Sequence, residues 1–108
     1  MQHLYSSIKE LRGMLDDSRD PGVIKRKCKG IFGSCENLLR RYGQRGHGDL
    51  VGSKLSRIEF HARKVQGLAR QRNFNPKDPS VDLSLRHMEA AIKEIGETLE
   101  IEFKEVVS

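Results

Sequence analysis

Hydrophobic positions fall into four blocks, each repeating every third or fourth residue, the spacing that puts side chains on one face of a helix. The first stripe is Leu4, Ile8, Leu11 and Leu15, widened by Met14, and predicts a helix over 2–18. Gly13 weakens that helix slightly. Its end, Asp16-Asp17-Ser18, puts acids where the helix dipole favours cations, so fraying is expected there.

The second and third stripes keep a strict alternation of four and three. They are Ile24, Cys28, Ile31, Cys35, Leu38 and Tyr42, then Val51, Leu55, Ile58, Ala62, Val65 and Ala69. Asp20-Pro21 reads as a start signal, because Asp caps a helix N-terminus and Pro suits its first position. Gly43 reads as the stop. Asp49 is the expected cap of the third helix, which runs to about Arg72. Asp78-Pro79 repeats the start signal for a fourth helix with the stripe Val81, Leu85, Met88, Ile92, Ile95, Leu99, Phe103 and Val106. That pattern carries the helix almost to the chain end, about 28 residues and ~42 Å, against ~25 Å for the first. A long loop or another subunit would have to cover the excess.

Four amphipathic helices joined by short loops predict a single all-α domain over 1–108, an up-down-up-down four-helix bundle. The heptad-like period predicts left-handed, coiled-coil-like packing. The fourth helix then borders the third and the first and lies diagonally from the second.

Composition adds little to the fold but much to the surface. The chain has 108 residues, 36% hydrophobic and 32% charged, no Trp, and a net charge of +5. It contains no apolar run long enough to cross a bilayer. Its first residues lack the basic and apolar regions of a signal peptide, so a cytoplasmic protein is expected. Cys28 and Cys35 sit seven positions apart on one helix, about 10 Å, too far to bridge each other. With no Cys or His spacing typical of metal ligands, neither a metal site nor a cofactor is expected.

The charge is unevenly placed. From Arg19 to Arg72 there are fourteen Lys and Arg against four acids, a balance of +10, whereas Asn73–Ser108 balances at −4. Projected on their helices, Arg26, Lys29 and Arg40 fall opposite the second stripe, near Gly30 and Gly33. Arg57, Arg63, Lys64 and Gly67 surround Phe60, which falls opposite the third. Cations beside small residues suit a phosphate backbone, and an exposed aromatic can stack on a base. The candidate nucleic-acid contacts are therefore Arg26, Lys29, Arg40, Arg41, Arg57, Phe60, Arg63 and Lys64. A solvated outer face accounts for the same charges, and Gly30 and Gly33 read as points of close helix approach more than as a ligand surface. Phe60 and Ile101 both face away from their core stripes and are candidate contacts between copies.

No catalytic constellation is expected. His3, His47, His61 and His87 are scattered over different elements. The last helix's acids read as a solvated face, several paired with Lys93 or Lys104 one turn away. Arg41 followed six residues later by His47 resembles the Arg-x(4–6)-His pattern of helical HEPN ribonucleases, which implies a third, enzymatic option.

Three stretches carry a further resemblance: Ser53-Lys54-Leu55, Leu68-Ala69-Arg70 and Glu94-Ile95-Gly96-Glu97-Thr98-Leu99. In content and spacing, over residues 23–106, they resemble the accessory variability proteins of diversity-generating retroelements. The resemblance implies a small basic four-helix bundle forming a homo-oligomeric barrel that binds a reverse transcriptase and nucleic acid. The expected function is thus a non-enzymatic accessory protein binding RNA or DNA, a partner protein, or both. The alternative is a protein-only adaptor or inhibitor that docks its basic face on an acidic protein.

Overall fold

Aspartate–proline pairs start two of the four helices. The Asp20 carboxylate accepts from the Gly22 N–H at 3.4 Å and the Asp78 carboxylate from the Ser80 N–H at 2.8 Å, so each satisfies a donor that the first helical turn leaves unpaired. The computed structural model describes residues 1–42 and 48–105. Its helices are α1 (Gln2–Asp16), α2 (Pro21–Tyr42), α3 (Gly48–Ala69) and α4 (Pro79–Leu99), with no strand among the described residues. The expected stop at Gly43 and the capping side chain of Asp49 lie outside the described residues.

The stripes meet in one core. All four apolar positions of α1, the first four of α2, all six of α3 and the first five of α4 are buried. Leu38, Tyr42, Leu99 and Phe103 pack against that core from its margin. Neighbouring helices run antiparallel: Lys27 at the start of α2 pairs with Glu10 near the end of α1, and Lys54 near the start of α3 pairs with Glu94 near the end of α4 at 3.0 Å. The α2–α3 pair packs most closely, α3–α4 next, and α1–α4 least. Among the described residues diagonal pairs make no close backbone approach, so the bundle is up-down-up-down, with α4 diagonal to α2 as expected.

Three helix ends fall short of the expectation: α3 stops at Ala69 and not at about Arg72, and the other two share one reason. α1 does not fray. Ser18 adopts the left-handed conformation (φ 52°), and the Arg19 N–H donates to the Met14 carbonyl at 2.9 Å while the Ser18 N–H donates to Leu15 at 3.1 Å. This is a Schellman stop made without glycine. The cation that the acidic end lacks comes from elsewhere: Lys77, in the α3–α4 connection, donates to the Asp16 carbonyl at 2.5 Å. α4 ends the same way. Glu100 is left-handed (φ 56°), and the Ile101 N–H donates to the Gly96 carbonyl at 2.8 Å.

The chain then turns back as a strap, 101–105. Phe103 stacks on Tyr5 with ring centres 4.6 Å apart, and the Gln2 side-chain amide pairs with both backbone groups of Lys104, at 3.0 and 2.9 Å. Gly96 makes room for this strap, since a Cβ there would lie 2.7 Å from the Phe103 ring and 3.2 Å from the Ile101 carbonyl oxygen. At 21 residues α4 spans ~32 Å, shorter than expected though still longer than the 15-residue α1, and the strap folds back over its last turn. Ile101 accordingly sits half-buried in the strap and not on an outer helix face.

Candidate functional site

The surface is sorted by which cations already have carboxylates. The Arg12 guanidinium bridges Asp82 and Glu89 of α4, each at 2.7 Å, and the two carboxylates raise its proton affinity. Glu94 holds Lys54, and Glu10 holds Lys27. Asp82, Glu89 and Glu94 thus tie α4 to α1 and α3, and among the described residues no acid is within ion-pair distance of Lys93 or Lys104. Asp82 and Glu94 are both held below the usual carboxylate range, chiefly by the hydrogen bonds from Arg12 and Lys54 respectively.

One expected phosphate contact, Arg63, is already engaged by carboxylates. Arg63 donates to Glu36 at 2.7 Å and to Glu59 at 3.1 Å, and its guanidinium lies over the Phe32 ring at 4.3 Å. It clasps α2 to α3, and a phosphate would have to displace two carboxylates. Arg26, Lys29, Arg40, Arg41, Arg57 and Lys64 are exposed, and among the described residues no carboxylate lies within ion-pair distance of any of them.

These six do not share one face. Arg26 lines a groove of about 320 Å³ between α1 and α2, with His3, Ser7, Lys27 and Gly30. Arg57 and Lys64 lie on the other side of the hairpin, toward α4, where both act electrostatically on His61. Gly30, Gly33 and Gly67 do not mark close helix approach, because a Cβ at any of them would meet nothing within 4 Å. Phe60 is 62% exposed, as its position opposite the stripe predicts, and Leu83 on α4 is 55% exposed.

Two histidines expected to be scattered are together. His61 of α3 and His87 of α4 stack with centres 4.6 Å apart and planes 7° from parallel. Phe60 meets the His61 ring edge-on at 5.1 Å, and His61 Nδ1 lies 3.4 Å from the buried Ser84 hydroxyl. Burial, then the neighbouring His87, Lys64 and Arg57, push the His61 pKa down from its ordinary value. The sequence did carry a signal for this pair. Each histidine directly precedes a core residue, Ala62 or Met88, and so flanks the seam of two helices that pack antiparallel.

A further concavity lies on another side. A groove of about 650 Å³ runs between α1 and α4 under the strap, with Tyr5, Ile8, Ile92 and Phe103 among its apolar walls and Glu97, Glu100 and Glu102 at its rim. Ile101 lines it too. Its size is that of a ligand or side-chain cleft.

The remaining candidates for chemistry are inert or fall outside the described residues. Both cysteines are buried and unbonded to each other, and burial pushes each thiol up to about 12. Among the described residues no group of three or more His, Cys, Asp or Glu side chains could hold a metal ion, and no helix is long and apolar enough to cross a membrane. The Arg41–His47 pattern runs into residues 43–47, which lie outside the described residues. No protein-family model, curated protein or solved structure matches this chain.

Proposed function

We propose that this protein is a non-enzymatic accessory protein whose basic α2–α3 hairpin binds nucleic acid, a nucleic-acid enzyme such as a reverse transcriptase, or both. One observation carries the reading. Arg26, Lys29, Arg40, Arg41, Arg57 and Lys64 stay exposed and, among the described residues, without carboxylate partners, while Glu10, Glu36, Asp82, Glu89 and Glu94 pair with other cations. A phosphate backbone supplies the missing anions, and binding it releases the counterions these side chains otherwise hold. Phe60 stands between Arg57 and Lys64 in sequence and is available to stack on a base or to meet a second copy. A homo-oligomer is part of the proposal, with Phe60 as its leading contact and Ile101 reached only through the strap groove.

The test is fluorescence anisotropy with random single- and double-stranded DNA and RNA across a salt series. The reading expects affinity to fall linearly on a log–log plot against salt. No binding to any of the four at low salt would defeat it. Charge reversal then locates the face. The Arg57→Glu/Lys64→Glu and Arg26→Glu/Lys29→Glu pairs probe opposite sides of the hairpin, while Arg63→Ala should leave affinity nearly unchanged. Solution mass at several concentrations tests the oligomer.

A further inference from the structure

We propose that the α3–α4 seam is a phosphodiester-binding site in which His61 and His87 join Arg57 and Lys64, so that nucleic acid is held more tightly as the pH falls. The inference rests on the nucleic-acid reading and adds to it a location and a proton dependence.

The seam carries more positive than negative charge, although Glu94, which pairs with Lys54, also acts on Arg57. On α3 the imidazole of His61 lies in the field of Arg57 and Lys64. On α4 it faces the His87 ring and the neutral Ser84 hydroxyl, and the nearest cation in sequence, Arg86, turns to Asp82 at 2.8 Å. The acids around it are engaged. Asp82 and Glu89 hold Arg12 on the α1 side of α4, Glu94 holds Lys54 at the far end of the seam, and Glu59 holds Arg63 on the α2 side of α3. Only α3 and α4 form the seam, so among the described residues no further element brings a carboxylate to it.

Protonating the His61 ring therefore adds a cation beside Arg57 and Lys64, neither of which has a carboxylate at ion-pair distance among the described residues. The free protein resists this, and the His61 pKa is lowered, first by burial and then by His87, Lys64 and Arg57. An oxyanion seated over the seam reverses the balance. It faces two permanent cations and two rings that become N–H donors at both nitrogens once protonated. Since the bound anion favours the charged imidazoles, binding takes up protons, and by linkage affinity rises as the pH falls through the imidazole range. Phe60, edge-on to His61 and largely exposed, is placed for a base next to that phosphate.

The experiment is anisotropy of a labelled single-stranded 20-mer between pH 5.5 and 8 at fixed ionic strength, on the wild type and on His61→Gln/His87→Gln. Wild-type affinity should rise roughly fivefold to tenfold for each imidazole whose pKa climbs by about one unit on binding. The double variant should lose the gain in affinity between pH 8 and pH 5.5, whatever its affinity at pH 8. Proton NMR of the His61 ring should show its titration moving to higher pH when the oligonucleotide is added. Binding that does not change with pH, a variant that keeps the full gain, or a His61 titration unmoved by oligonucleotide would overturn this site and leave the nucleic-acid reading standing. Absence of binding at every pH would remove both. A pH-dependent gain with poly-glutamate but not with the oligonucleotide would overturn the phosphodiester assignment.

Discussion

Replacing three surface glycines by alanine separates a structural cost from a binding advantage. Gly30 and Gly33 lie inside α2 and Gly67 inside α3, none has a positive φ, and a Cβ at each would meet nothing within 4 Å. Nothing in the fold therefore requires glycine there. In a helix interior glycine costs about 0.5–1 kcal/mol relative to alanine, through the backbone freedom it loses on folding. The triple variant Gly30→Ala/Gly33→Ala/Gly67→Ala should be more stable by roughly 1.5–3 kcal/mol, if the three add. At roughly 4–6 °C per kcal/mol for a domain of this size, that raises Tm by about 6–18 °C in thermal unfolding followed by circular dichroism. If the glycines exist to let a phosphate backbone approach the helix surface, the same variant binds oligonucleotide more weakly while being more stable. A variant that gains no stability would refute the open-space argument. One that gains stability and binds as before would show that these glycines serve no approaching backbone.

Gly96 is the opposite case. Gly96→Ala should destabilise by about 1–3 kcal/mol, because the added methyl meets both the Phe103 ring and the Ile101 carbonyl and unseats the strap; urea unfolding measures this, and a neutral result would mean that the strap can shift without cost. Stability should fall on acidification in two windows. His61 has a lowered native pKa, so below its ordinary 6.5 the unfolded chain takes up the proton first, and stability declines until the native ring also titrates; His61→Gln should flatten this window alone in denaturation midpoints measured against pH. Asp82 and Glu94, held low by Arg12 and Lys54, contribute above the usual carboxylate range, and that contribution goes as the pH falls through their native values. Cys28 and Cys35, with thiols near 12, should resist iodoacetamide in the folded protein at pH 8 and react once it is unfolded in urea; rapid native labelling would contradict their burial.

The parts of this fold that sequence reveals are those decided locally. Asp20-Pro21 and Asp78-Pro79 carry their capping chemistry within three residues, and the stripes need only a period, so nearly every residue expected in the core is there. Ser18 and Glu100 were not legible, because a left-handed residue other than glycine is selected by contacts that distant parts of the chain make. Lys77 reaches back to Asp16, and Phe103 finds Tyr5 nearly a hundred residues away. The same holds for the candidate surface. Projection found the cations and Phe60, but only the register between helices decides that Arg63 meets Glu36 while Arg57 meets no described carboxylate at ion-pair range. Register also turns two distant histidines into one stack.

The unequal seams have a consequence for how the chain assembles and opens. α2 and α3 are neighbours in sequence and pack most closely, so their contacts form at little cost in chain entropy and suit an early folding nucleus. The α1–α4 seam is the loosest, and closing it brings Gln2 and Lys104 together across almost the whole chain. That edge should form last and open first. Native-state hydrogen exchange would then show α1 and the 101–105 strap exchanging by a shared, low-energy opening while the core of α2 and α3 exchanges only with global unfolding.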